Sequence, residues 1–188
     1  MPAPFETEVN FAVKDIGAFQ KMLRKLGGRI IRRYKYTDYY YVPTAVRWNP
    51  SVQSLRIRDL PKGLDKPAIY FSKIEIKRLP GIILKRSVFP DGKLLLFCGP
   101  MRACRQILSD MGFKQWISIS KKNGQVWLVK GFEVTLDYIP GMGWMGELEA
   151  DGSSISKAKT QIAYEIRLLG IKKYTYKPMV VLFTESKR

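Results

Sequence analysis

Apolar and polar residues alternate with period two through most of this chain, and the alternation predicts strands. Between Phe5 and Phe11, positions 5, 9 and 11 are apolar while Glu6, Glu8 and Asn10 share the other face. The stretch Arg29 to Val42, rich in β-branched and aromatic residues, predicts a second strand. Leu55 and Ile57 oppose Arg56 and Arg58, and Ile74 and Ile76 oppose Lys73, Glu75 and Lys77. Further strands are expected over Gly81 to Phe89, which carries Lys85 and Arg86, and over Trp116 to Val129, where Ser118, Ser120 and Lys122 share a face. Both Asn123-Gly124 and Lys130-Gly131 are suitable hairpin turns there. Phe132, Val134 and Leu136 then oppose Glu133, Thr135 and Asp137. After a glycine-rich loop, Leu148 and Ala150 oppose Glu147, Glu149 and Asp151.

Helical periodicity interrupts this pattern three times. Asp15 caps a helix with Ile16, Phe19, Met22, Leu23 and Leu26 on one stripe, and Gly27-Gly28 ends it. Pro100 opens a second, with Met101, Cys104, Ile107, Leu108 and Met111 on one side. Caps among Ser153 to Ser156 begin a third, ended by Gly170, while Met179 to Phe183 suits a strand or a helix. The result is an α+β chain dominated by antiparallel strands, expected as one domain over residues 1–188.

Composition narrows the chemistry. No histidine is present among the 188 residues, which removes Ser-His, Cys-His and His-metal mechanisms. The two cysteines, Cys98 and Cys104, are too few for a zinc site and are expected as buried thiols. No apolar run is long enough to span a membrane and the N-terminus lacks signal-peptide features, so a cytoplasmic protein is expected. A net charge of +17 favours a polyanionic partner. Against that excess, acid is concentrated on three strands. Glu6 and Glu8 stand roughly 6.6 Å apart along their strand, within reach of one divalent ion. Asp137, Glu147 and Glu149 crowd the later hairpin, and carboxylates so placed repel unless a cation or basic side chains lie between them.

Glu6-Thr7-Glu8, Asp38 to Tyr41, Leu55-Arg56-Ile57-Arg58, Lys77, Val134 to Asp137 and Glu147-Leu148-Glu149 follow one another in an order that resembles the CYTH proteins. These are the triphosphate tunnel metalloenzymes, which include class IV adenylyl cyclases and thiamine triphosphatases. The resemblance spans essentially the whole chain and implies an eight-stranded antiparallel β-barrel tunnel with helices packed outside. It implies metal binding, by Mg²⁺ or Mn²⁺, at Glu6, Glu8, Asp137, Glu147 and Glu149, and triphosphate binding at Arg56, Arg58, Lys77, Arg86 and Lys122. The implied activity is metal-dependent hydrolysis of a triphosphate-containing small molecule, with adenylyl cyclase second and a non-catalytic polyphosphate- or RNA-binding protein third.

Four positions depart from the family pattern. Asn10 stands where the family has lysine, and Val42 where it has an acid. Ser87-Val88-Phe89 replaces an acidic position, and Gly124 replaces an arginine. Asn10 removes one cation from the acidic strand face, so turnover is expected to suffer more than binding, and Asn10→Lys is expected to restore rate.

Overall fold

The computed structural model describes residues 5–61, 66–152 and 154–187. Residues 1–4, 62–65 and 188 lie outside the described residues, as does Ser153, one of the expected caps of the third helix.

In chain order the elements are β1 (Phe5–Val13), α1 (Ile16–Lys25), β2 (Arg29–Pro43), β3 (Gln53–Asp59), β4 (Ala68–Leu79), β5 (Ile82–Ser87) and β6 (Leu94–Cys98). There follow α2 (Met101–Asp110), β7 (Phe113–Val129), β8 (Phe132–Ile139), β9 (Gly143–Gly152), α3 (Ile155–Leu168) and α4 (Met179–Glu185). Among the described residues nine strands stand where eight were expected, the addition being β6, whose three consecutive leucines carry no alternation to reveal a strand. The ambiguous tail forms a helix, α4, which buries Val180 and Phe183.

Two compact units share these elements. The first consists of Lys35–Glu75 and Ser87–Ser120. The second takes the described residues from Phe5 to Tyr34, Ile76–Arg86 and the described residues from Lys121 onward. Strands β2, β4, β5 and β7 contribute residues to both.

The second unit holds the antiparallel ladder β7-β8-β9-β1-β5. One face of it is apolar. Val9, Phe11, Leu84, Trp127, Val134 and Leu148 join Leu23 of α1 and Ala158 and Ile162 of α3 in a single core. Burying side chains of this size contributes roughly 1.5–3 kcal/mol each, so the odd-numbered face of β1 is fixed against the helices and its even-numbered face is free for chemistry. The β7–β8 turn is Lys130-Gly131, with φ of 49° and 92° at the two central positions, as a type I′ hairpin requires. Asn123-Gly124 instead lies within β7.

In the first unit β2, β3, β4 and β6 form a second antiparallel ladder, with β3 between β2 and β4 and β6 on the far side of β4. Its core gathers Tyr41, Leu55, Ile57 and Ile69 against Cys104 and Leu108 of α2. Cys104 is buried as expected, whereas Cys98, on the unpatterned strand β6, is exposed.

Candidate functional site

The period-two pattern sends Glu6, Glu8 and Asn10 to the free face of β1, and the antiparallel register sets β9 acids beside them. Glu6 is paired with Asp151, Glu8 with Glu149 and Asn10 with Glu147. On β8, Thr135 is opposite Glu147 and Asp137 follows on the same face. The five carboxylates singled out from the sequence are therefore brought onto one face of three adjacent strands, all within the second unit.

Like charges at such spacing must be neutralised, and two lysines do part of this. Lys85 of β5 donates to Glu8 Oε2 at 2.9 Å, and it is itself buried. Lys121 pairs with Asp137 Oδ2. Asp137, 1% exposed, also accepts from the Tyr34 hydroxyl at 2.7 Å. Burial and mutual repulsion also favour the protonated forms of the remaining acids. Glu147, half-buried and facing Glu8, has its carboxyl pushed up to about 7 by burial and then by the Glu8 charge, although Lys121 opposes the shift. Glu149 is also pushed up to about 7, by burial and by the charges of Glu6 and Glu8. Burial raises Glu6 too, and a hydrogen bond links its carboxyl to that of Glu149. Glu149 keeps solvent access, which limits what its shift means for stability.

Asn10 has a role the sequence did not show. It is fully buried. Its Nδ2 donates to Glu8 Oε1 at 2.7 Å and to the Lys177 carbonyl at 3.2 Å. Its backbone pairs with Thr175 in both directions. Asn10 thus holds Glu8 and fastens the segment after α3 to β1, and a lysine there would break the link to Lys177. A second of the four departures, Gly124, is equally specific. A Cβ at this position would lie 2.1 Å from the Tyr34 ring. The missing side chain is the seat that lets Tyr34 reach Asp137.

The basic residues are distributed differently from expectation. On β5 the register pairs Lys85 with Glu6, so Lys85 shares the carboxylate face. Arg86 has its guanidinium 5.1 Å from the Phe5 ring, on the other side of the strand. Parity against the buried Ile82 and Leu84 was the sequence signal for this. On β7 it is Lys121 that meets Asp137, while Lys122 is exposed. Lys77 is exposed on β4.

In the first unit, Asp38 receives both arginines of β3. Arg58 makes a bidentate pair with it at 2.8 and 2.8 Å, and Arg56 Nε stands 3.4 Å away. Burial works against the Arg58 charge, but the Asp38 bond overrides it and raises the guanidinium above its ordinary range. Arg58 also lies 3.9 Å from the Tyr36 ring centre.

Oxygen donors of this kind suit a hard divalent cation. Among the described residues no three acidic, cysteine or histidine side chains stand together in a ligating arrangement. Glu8 and Asp137 are instead paired with Lys85 and Lys121. The donor set fits such an ion in type.

No protein-family model matches the chain, and no curated protein matches it. Solved structures do. A conserved hypothetical protein from Pyrococcus furiosus is similar with a TM-score of 0.70 and 22% identity, over 94% of this chain and 99% of that one. A candidate adenylate cyclase from Vibrio parahaemolyticus gives 0.64 at 15% identity, over 97% and 99%. A candidate adenylyl cyclase from Hippeastrum, described as having a dominant triphosphatase activity, gives 0.63 at 14%, over 97% and 95%. Over nearly its whole length, this chain therefore shares with these proteins a mostly antiparallel α+β fold.

Proposed function

We propose that the chain is a divalent-metal-dependent hydrolase of triphosphate-containing small molecules. The observation that carries this reading is the face of β1, β8 and β9 on which Glu6, Glu8, Asp137, Glu147 and Glu149 meet Lys85 and Lys121. The triphosphatase activity ascribed to the Hippeastrum protein supports it. The eight-stranded tunnel implied by the CYTH resemblance belongs to the same proposal.

A Mg²⁺ or Mn²⁺ ion held by these carboxylates would neutralise phosphoryl charge and polarise the attacking water. The chain's own residues do the remaining work. Lys85 and Lys121 are placeholders on Glu8 and Asp137, and a cation on those carboxylates would let their ammonium groups turn to phosphate oxygens. Asn10 keeps Glu8 oriented, and Tyr34 does the same for Asp137. Arg58, held in a bidentate fork by Asp38, and Arg56 are the guanidiniums that the resemblance assigns to phosphate.

Adenylyl cyclisation is the second reading, favoured by the candidate cyclases of the same fold. The two differ in whether water or a ribose hydroxyl attacks. Incubation with tripolyphosphate or ATP and Mn²⁺ separates them by product: phosphate for the first, cyclic AMP and pyrophosphate for the second. Metal and tripolyphosphate together are expected to raise Tm by more than the sum of their separate shifts, since each relieves repulsion that the other meets. Additive shifts would refute a shared site.

A further inference from the structure

A groove lies on the opposite side of β1 from the carboxylates, within the second unit, where the end of β1, α1 and the segment after α3 meet. Its volume is about 540 Å³, within the range of about 300–1,000 Å³ typical of small-molecule sites. The floor is apolar. Phe11 and Leu169 are buried, and Phe19, Met22 and Ile171 are half-buried. The Phe11 and Phe19 rings pack 5.8 Å apart, which makes this floor firm.

Its rim has one sign. Lys14, Lys172 and Lys173 line the mouth, all exposed, and none forms an ion pair among the described residues. Asp15 is the single acid beside them, and its Oδ1 already accepts from the Ala18 N–H at 2.9 Å as the cap of α1. An apolar trough closed by three lysines matches a ligand with a hydrocarbon body and an anionic head. Among the described residues the floor carries no polar side chain to recognise a nucleobase or a sugar. Its concavity suits one chain in preference to a flat lipid surface.

We infer that this groove binds a single-chain anionic amphiphile, an acyl carboxylate, with its chain along Phe11, Phe19 and Met22 and its carboxylate among Lys14, Lys172 and Lys173. The site is separate from the carboxylate face, because Phe11 and Glu8 or Asn10 project from opposite sides of β1.

The test is calorimetric titration of the full chain with monomeric saturated carboxylates from hexanoate to dodecanoate. Affinity is expected to rise about fourfold per methylene until the groove is filled. The alcohol of matching length should bind at least about tenfold more weakly, for want of the charge. Ala18→Trp, at an exposed helix position lining the groove, should abolish binding without unfolding the protein. Lys172→Glu with Lys173→Glu should weaken the carboxylate and spare the alcohol. The inference is overturned if no saturable binding occurs, if Ala18→Trp leaves it intact, or if alcohol and carboxylate bind alike. Binding only to anionic phospholipid vesicles, with none to monomeric carboxylate, would overturn it too and make the patch a membrane contact.

Discussion

A divalent cation entering the β1–β8–β9 face must displace protons, and this makes its affinity steeply dependent on pH. Glu147 and Glu149 are both raised to about 7. A carboxyl with that pKa is about 90% protonated at pH 6 and about 10% at pH 8, whereas an ordinary glutamate is ionised at both. If the ion needs one of them ionised, apparent affinity falls about tenfold from pH 8 to pH 6, and about a hundredfold if it needs both. Free Mn²⁺ measured by electron paramagnetic resonance at pH 6, 7 and 8 and constant ionic strength reads this directly. Glu147→Gln should remove about one decade of the pH effect while also weakening binding. Affinity constant from pH 6 to 8, or a slope unchanged in Glu147→Gln, would refute the reasoning. The same shifts act on the metal-free fold with opposite sign. A folded-state pKa above the unfolded one contributes stability at pH below about 4.5, and that contribution is lost as pH rises through about 7.

Glu165 provides a second linkage on the buried stripe of α3. It is 1% exposed, burial pushes it up to about 7, and its Oε2 has no hydrogen-bond partner. Glu165→Leu should therefore gain up to about 2.5 kcal/mol more at pH 8 than at pH 5, a ceiling because the side chain borders an open cleft lined by Lys157 and Gln161; equal gains at both pH values in urea unfolding would contradict this. Tyr34→Phe removes a charge-assisted hydrogen bond to buried Asp137 and should cost about 1.5–3 kcal/mol, read as a fall in Tm. Gly124→Ala drives a methyl into the Tyr34 ring and should cost at least as much, and the double variant should be clearly less than additive; full additivity would show that Gly124 is not the seat of Tyr34.

Much of this arrangement was legible in the sequence, because period-two alternation is a local property. Glu6 and Glu8 opposite Val9 and Phe11, or Glu147 and Glu149 opposite Leu148 and Ala150, needed only the apolar residues beside them. The caps at Asp15 and Ser154 were local in the same way. What stayed hidden depends on partners far along the chain. Lys85 gains its importance from being paired with Glu6, 79 positions earlier. Asn10 looked like a missing charge, yet it is a tether whose other end is the carbonyl of Lys177. Gly124 looked like a lost arginine, and Tyr34 fills its place. Strand β6 escaped notice because Leu94, Leu95 and Leu96 are all exposed and none marks an inward face.

The central claim, that these carboxylates hold a metal for triphosphate chemistry, is tested most directly by phosphate release from tripolyphosphate with Mn²⁺ in the native chain and in Glu147→Gln. Release by the native chain should need the metal and stop in EDTA. Glu147→Gln should lower it by at least about a hundredfold while leaving Tm unchanged or higher, since a neutral amide escapes the penalty on a buried charge. Release that persists in EDTA, or that survives Glu147→Gln undiminished, would contradict the account.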